Sequence, residues 1–303
     1  MGHCYFWDQH LNDERFILMS SFVFLSILTA AMMHALWNTL MKSAPDKNLE
    51  TALANFSTSL VAIPFLLIFG LPEPETYGYI FLSLILHVIY FYSVASAYRY
   101  GDLNMAYPIM RGVAPILTLI FGGMIFGDAI HPVIAVGIIL ICLGVILLGL
   151  KKSPSTANHQ KTLLFALGNA VIIAAYTIVD GQGARIATQV WSYIGLLMLL
   201  NGYVFPAILM WQRRNTFTFV QTMQYVKHRG LYAFIGGSCV MGSYSIALWA
   251  MTQAPITIVA AIRETSVLFA FVFAVVFLKE PIYPQRIIGI VGICIGIVLI
   301  RLS

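Results

Sequence analysis

The chain superimposes on itself. Shifted by 152 positions without a gap, Arg111 falls on Arg263, Gly78 on Gly230, Tyr92-Ser93 on Tyr244-Ser245, Phe121 on Phe273, Ile141-Cys142 on Ile293-Cys294 and Gly144 on Gly296. Each arginine lies inside a long apolar run. Seventeen residues later each is followed by an acid, Asp128 or Glu280, and then by Pro132 or Pro284. An ungapped register of this length is the mark of a duplicated unit, and the apolar runs that carry it are those of a membrane protein.

Composition agrees. With 60% hydrophobic residues, 10% charged residues and a mean hydropathy of +0.86, the chain has too few polar groups to cover a water-soluble globule. The net charge of +5 does not point to nucleic acid, because Lys and Arg fall mostly in short loops between apolar runs, where they set topology. Cys142, Cys239 and Cys294 lie in apolar segments and Cys4 near the start, with no metal-ligand spacing. No cofactor and no metal site are expected.

Residues 1–18 carry Asp8, Asp13 and Glu14 against Arg15 and lack the cationic region and cleavage site of a signal peptide. They read as a polar leader, and Met19, at the edge of the first apolar run, reads as an alternative start. A spanning helix needs about 20 apolar residues. Ten such runs are predicted: 20–41, 51–70, 78–98, 105–127 and 133–150, then 162–179, 190–211, 230–251, 256–278 and 287–300. The fold class is therefore all-α and polytopic. A first repeat covers 19–150, a Lys-Lys-Ser-Pro-Ser linker 151–161, and a second repeat 162–303. Five helices per repeat is an odd number, so the second unit enters the membrane upside down relative to the first. Apart from Arg111 and Arg263, only Arg15, Arg185 and Arg301 fall on the side of the termini, which by charge alone places both termini outside the cytoplasm.

An arginine inside hydrocarbon faces a wet cavity or a partner unless it can snorkel. Arg111 lies about six residues, roughly 9 Å, into its span, so both readings stand. Inversion puts Arg263 near the opposite face, and the expectation is that each arginine closes a polar network at its own end of a central cavity. Asp128 and Glu280 are about 25 Å from their arginines along the helix and read as loop-end residues. Glu264, next to Arg263, reads either as a proton carrier or as a buried structural acid. His34 and Asn38, four apart, share a helix face. His34 suits either a proton site or an interhelical hydrogen bond. Trp37, Tyr92, Tyr107, Tyr176, Tyr244 and Trp249 are candidate walls for an organic solute or ordinary packing residues, with the repeated Tyr92-Ser93 and Tyr244-Ser245 pairs favoured. Gly137, Gly144, Gly289, Gly292 and Gly296 suit close packing within the bundle or between two copies of a homodimer. Catalytic and nucleotide motifs are absent, so the chain does not read as an enzyme.

Ala35-Leu36-Trp37-Asn38, the segment from Ala106-Tyr107-Pro108 through Arg111-Gly112-Val113-Ala114-Pro115 to Asp128, and its partner from Ile258 through Arg263-Glu264 to Glu280-Pro281 together resemble the EamA type of the drug/metabolite transporter superfamily. The resemblance covers nearly all of the chain after Met19. It implies ten helices in two inverted five-helix repeats, a central cavity, and export or exchange of small metabolites such as amino acids across the inner membrane of a bacterium. Two departures stand out: the family usually carries Glu where Asp128 stands, and its termini are usually cytoplasmic. His34-Ala35-Leu36-Trp37-Asn38 also resembles a subgroup associated with phosphonate utilisation. The leading expectation is a secondary transporter whose partners are a small-molecule solute and the lipid bilayer. The alternatives are a translocase for a lipid or lipid-linked intermediate, and a membrane scaffold or intramembrane enzyme.

Overall fold

A computed structural model describes residues 19–100, 103–126, 130–149, 159–214, 219–279 and 283–303. The helices are α1 (Ser21–Lys42), α2 (Lys47–Phe69), α3 (Tyr77–Tyr100), α4 (Leu103–Phe126), α5 (Pro132–Gly149), α6 (His159–Ile186), α7 (Val190–Gln212), α8 (Phe219–Met251), α9 (Ile256–Arg263), α10 (Ser266–Leu278) and α11 (Pro284–Leu302), with a short 3-10 turn at Pro74–Thr76. Among the described residues there are ten stretches long and apolar enough to cross a membrane, α9 and α10 forming one of them. The outward faces are apolar, as a lipid solvent requires, with Leu67, Met124 and Leu302 strongly exposed. Pro64, Pro108, Pro115 and Pro206 sit inside helices. Neighbouring helices can satisfy the backbone groups that such prolines free in a membrane.

The packing scheme maps onto itself when the halves are exchanged. Helix α5 runs along α11 and α2 along α7, each pair made of equivalent helices. Helix α1 packs on α8 and α10, just as α3 and α4 pack on α6. Likewise α2 packs on α8, and α3 on α7. Together with the odd helix number per half, this is the arrangement of two inverted repeats.

Small residues let backbones meet at the pairings on this axis. A Cβ added to Gly144 would stand 2.6 Å from the Gly289 carbonyl oxygen, and one added to Gly296 would stand 2.5 Å from that of Gly137. The glycine stripe thus packs α5 against α11 within one chain. Hydroxyls tie other helices: Ser59 Oγ donates to the Leu199 carbonyl (2.8 Å), Thr58 Oγ1 to that of Gly237 (3.2 Å) and Ser243 Oγ to that of Ala30 (2.7 Å).

Three elements differ from the sequence expectation. The sixth helix does not stop at Val179 but runs to Ile186, so Asp180 lies within it. The eighth begins at Phe219, not Gly230, and the three residues His159, Gln160 and Lys161, expected in the linker, open α6. The ninth span is not continuous. Glu264 N–H bonds to the Ala261 carbonyl and Thr265 N–H to that of Ile262, a three-residue spacing that tightens the chain and divides α9 from α10. The leader, most of the linker, Asp128 and Glu280 lie outside the described residues.

Candidate functional site

The two arginines do not mark opposite ends of a channel. Arg111 of α4, Arg263 at the end of α9 and Glu264 at the break after it border one small cavity of about 10 Å3, together with Ala114, Thr118, Ile173, Tyr176, Thr177 and Ala260. Its volume is about that of one water position. Arg111 Nε stands 2.9 Å from Glu264 Oε2, and the two side chains are only 11% and 6% exposed. Arg111 therefore does not snorkel. Its counter-ion comes from the other repeat and is the acid beside its own symmetry mate. The pair neutralises both charges where an isolated one would cost several kcal/mol.

Arg263 lies over the ring of Tyr244, its guanidinium carbon 5.3 Å from the centroid, a cation–π contact. His34 is partly buried and within electrostatic range of both arginines. Tyr107 lies within range of Arg111 and Glu264, and Tyr176 within range of Arg111, Arg263 and Glu264. Tyr176 also packs at a tilt against His87 of α3, with centroids 4.5 Å apart, and meets Tyr90 edge-on at 5.9 Å. The structure therefore gathers His34, Tyr107, Arg111, Tyr176, Tyr244, Arg263 and Glu264.

The remaining expected residues stand apart. Asn38 Nδ2 donates to the His34 carbonyl 2.7 Å away, so its amide is occupied within its own helix. Trp37 lies beside Gly236 of α8. Trp249 packs edge-on with the outward Phe22 at 5.7 Å, near the helix ends. Tyr92 is 67% exposed. It is two residues from Tyr90 and five from His87, and at about 100° per residue it faces away from both. Ser93 is half-buried. Ser245 is buried, and its hydroxyl has no hydrogen-bond partner among the described residues.

Sequence reading missed the acid below the pocket. Asp180 of α6 is fully buried and accepts a hydrogen bond from Tyr244 Oη through Oδ2. Ser83 and His87 of α3 face it. His87 Nδ1 lies 2.9 Å from the Ser83 carbonyl oxygen, which only an N–H can satisfy, so Nδ1 carries a hydrogen. Two signals pointed here: Ser83 and His87 are four apart in an apolar run, and Asp180 is four residues after Tyr176. Gly181 and Gly183, just after Asp180, are poor helix formers. Gly183 lets Tyr193 of α7 approach, since an added Cβ would meet its hydroxyl at 2.2 Å.

A further polar cluster binds one end of the bundle. Arg213, just after α7, holds Asp46 through two contacts of 2.6 and 3.0 Å. The bonded guanidinium, opposed by burial, keeps the Asp46 carboxyl below its usual value. Glu50 is fully buried and receives Arg229 at 3.1 Å and Tyr225 at 2.7 Å. At the other end Arg185 donates to the carbonyls of Met251 (2.8 Å) and Ala254 (3.0 Å), capping α8. Among the described residues no group of three His, Cys, Asp or Glu could hold a metal ion.

Comparisons with known proteins agree with this architecture. A solved crystal structure superposes with a TM-score of 0.70 at 17% sequence identity, covering 93% of this chain and 97% of its own. That likeness shows the fold. No curated protein matches the chain. The model of the EamA-like transporter family matches twice, over residues 21–150 and 160–302, which are the two repeats. With ten apolar spans folded around a shared pocket, this integral membrane protein belongs to the EamA-like transporter family, within the drug/metabolite transporter superfamily.

Proposed function

We propose that the chain is a secondary transporter, an exporter or exchanger, of a small polar or zwitterionic organic metabolite of the amino acid kind, working by alternating access. The observation that carries this reading is the ion pair between Arg111 and Glu264. It joins the repeats across the pocket and presents one cation and one anion side by side, with a second cation, Arg263, on the same wall.

A zwitterion matches that pair. Its anionic group takes the place of the Glu264 carboxylate at Arg111, where a guanidinium offers a fork of donors. The released Glu264 accepts the solute's ammonium. No buried charge is left alone in the exchange, so the solute trades places with an internal contact at little electrostatic cost. Because the pair is also the link between α4 and α9, separating it frees one repeat to rock against the other. The 3-10 break at Glu264-Thr265 lies where such a motion needs a hinge. The small cavity must widen to admit any solute, so binding and opening are one event.

Counterflow tests this reading. Proteoliposomes holding the purified chain are loaded with an unlabelled amino acid, aminophosphonate or simple amine and supplied with a trace of the same labelled compound. Uptake of at least one zwitterion is expected, and it falls at least tenfold in Arg111→Ala and in Glu264→Gln. Counterflow of no member of the panel, or movement of a labelled lipid instead, contradicts it.

A further inference from the structure

Asp180 has no part in the solute exchange just described, yet its surroundings are those of a working group. It is fully buried among α3, α6 and α8, and its Oδ1 has no hydrogen-bond partner among the described residues. Its other oxygen is held by Tyr244, and the Ser83 hydroxyl also faces the carboxyl. A buried carboxylate needs a cation in contact or donors at both oxygens, and an oxygen without a donor is served better by a proton. An acid kept inside a membrane span in this way is a candidate for ion or proton handling.

We propose that Asp180 is a proton-binding site linked to the arginine pocket through Tyr244. The link is geometric. The Tyr244 hydroxyl holds Asp180 while its ring carries the Arg263 guanidinium at 5.3 Å, so one side chain touches both the acid and the pocket wall. The groups around Asp180 are Ser83 and His87 from α3, Tyr244 from α8, Arg263 from α9, Tyr193 from α7 and Tyr176 on its own helix. The 3-10 turn, which also packs on α6, carries Glu73 and Glu75. From α4, Arg111 acts on the far side of Tyr176.

The linkage follows from charge. An anionic group bound at Arg111 that also draws Arg263 off the Tyr244 ring moves a positive charge away from Asp180, and Asp180 then binds a proton more tightly. In the opened state, water delivers that proton: an O–H bond forms at Oδ1 as the donor water's O–H bond breaks, leaving hydroxide to the solvent. By reciprocity, a proton on Asp180 favours solute at the arginines by the same factor. The site thus gives the proposed transporter a coupling ion, a role that rests on the transport reading, whereas proton binding by Asp180 does not.

Infrared difference spectroscopy separates the two, because it needs no solute. Spectra of the purified chain in lipid vesicles, recorded between acidic and alkaline pH, are expected to contain a protonated-carboxyl stretching band that disappears in Asp180→Asn and remains in Glu264→Gln. Tyr244→Phe, which keeps the ring, shifts the frequency of the band by removing its hydrogen-bond donor. Arg263→Gln moves the pH midpoint of the band upward. A wild-type spectrum without such a band, a band unchanged in Asp180→Asn, or one lost in Glu264→Gln instead overturns the assignment. If Asp180→Asn does not insert, a band unmoved by Tyr244→Phe does so as well. Failure of counterflow with the band intact would sink the transport reading and leave the proton site standing.

Discussion

Arg111 and Glu264 come from opposite halves of the chain, and each is the other's counter-ion: Nε lies 2.9 Å from Oε2 between side chains that are almost sealed from the surroundings. Duplication explains the pairing. Arg111 and Arg263 are equivalent positions, so Arg111 reaches across to the residue following its own symmetry mate, where the first repeat has Gly112 instead of an acid. One glutamate therefore serves a pocket bordered by two arginines, and the repeats are chemically unequal at the point where they meet.

Breaking that pair from one side leaves a buried charge alone. Arg111→Met and Glu264→Leu are each expected to destabilise the protein by about 3 to 5 kcal/mol, whereas the two together cost far less than the sum of the single changes. Denaturant unfolding in mild detergent of the wild type, both single variants and the double variant measures this. Additive losses would show that the two side chains do not interact.

The glycines of α5 and α11 give a sharper contrast. An added Cβ at Gly144 meets the Gly289 carbonyl oxygen and Ile293 Cγ1, both at 2.6 Å, while at Gly292 the nearest atom is 3.6 Å away. Gly144→Ala should cost about 1 to 3 kcal/mol by forcing the helices apart. Gly292→Ala should be close to neutral. Melting temperatures of the two variants decide it, and equal effects would remove the close-packing account of α5 against α11.

Much of this was legible in the residues before any coordinates. The 152-residue register and ten apolar runs fixed the helix order, the repeat and its inversion, because hydrophobic length is a local property. Arg111, Arg263 and Glu264 stood out because charge in hydrocarbon is costly wherever it occurs. What stayed hidden was relational. Two arginines expected at opposite faces border one cavity because α4 and α9 cross between the repeats. Tyr92 carries the same repeat signal as Tyr244 yet points outward, since register fixes position along a helix and packing decides which face is buried. Asp180 lies one residue beyond the expected end of the sixth span, and only the approach of Tyr193 shows what Gly183, three residues on, is for.

Asp46 offers a pH-dependent test at the end of the bundle. Its carboxyl, hydrogen-bonded to Arg213, is held below its ordinary value, so the stability it contributes is present above the unfolded aspartate value of about 4 and is lost as pH falls through the lower, folded value. Asp46→Asn keeps an acceptor for the Leu49 N–H that the wild-type side chain caps at 3.0 Å, so the substitution isolates the charge. With both partners a third exposed, the loss at neutral pH is expected to be only about 0.2 to 1 kcal/mol. Melting curves of both proteins should converge as the pH is lowered below that range. A gap that widens in acid would contradict the assigned sign.

The central claim is that one pocket, shared by two inverted repeats, opens to each side of the membrane in turn. Thr177 lines that pocket and is nearly buried, so a thiol there reports directly on access. Thr177→Cys, placed in a chain whose native cysteines are replaced by serine, is treated with a membrane-impermeant maleimide in right-side-out and in inverted vesicles. The account predicts labelling from both sides. Labelling from one side only, or from neither, would contradict it.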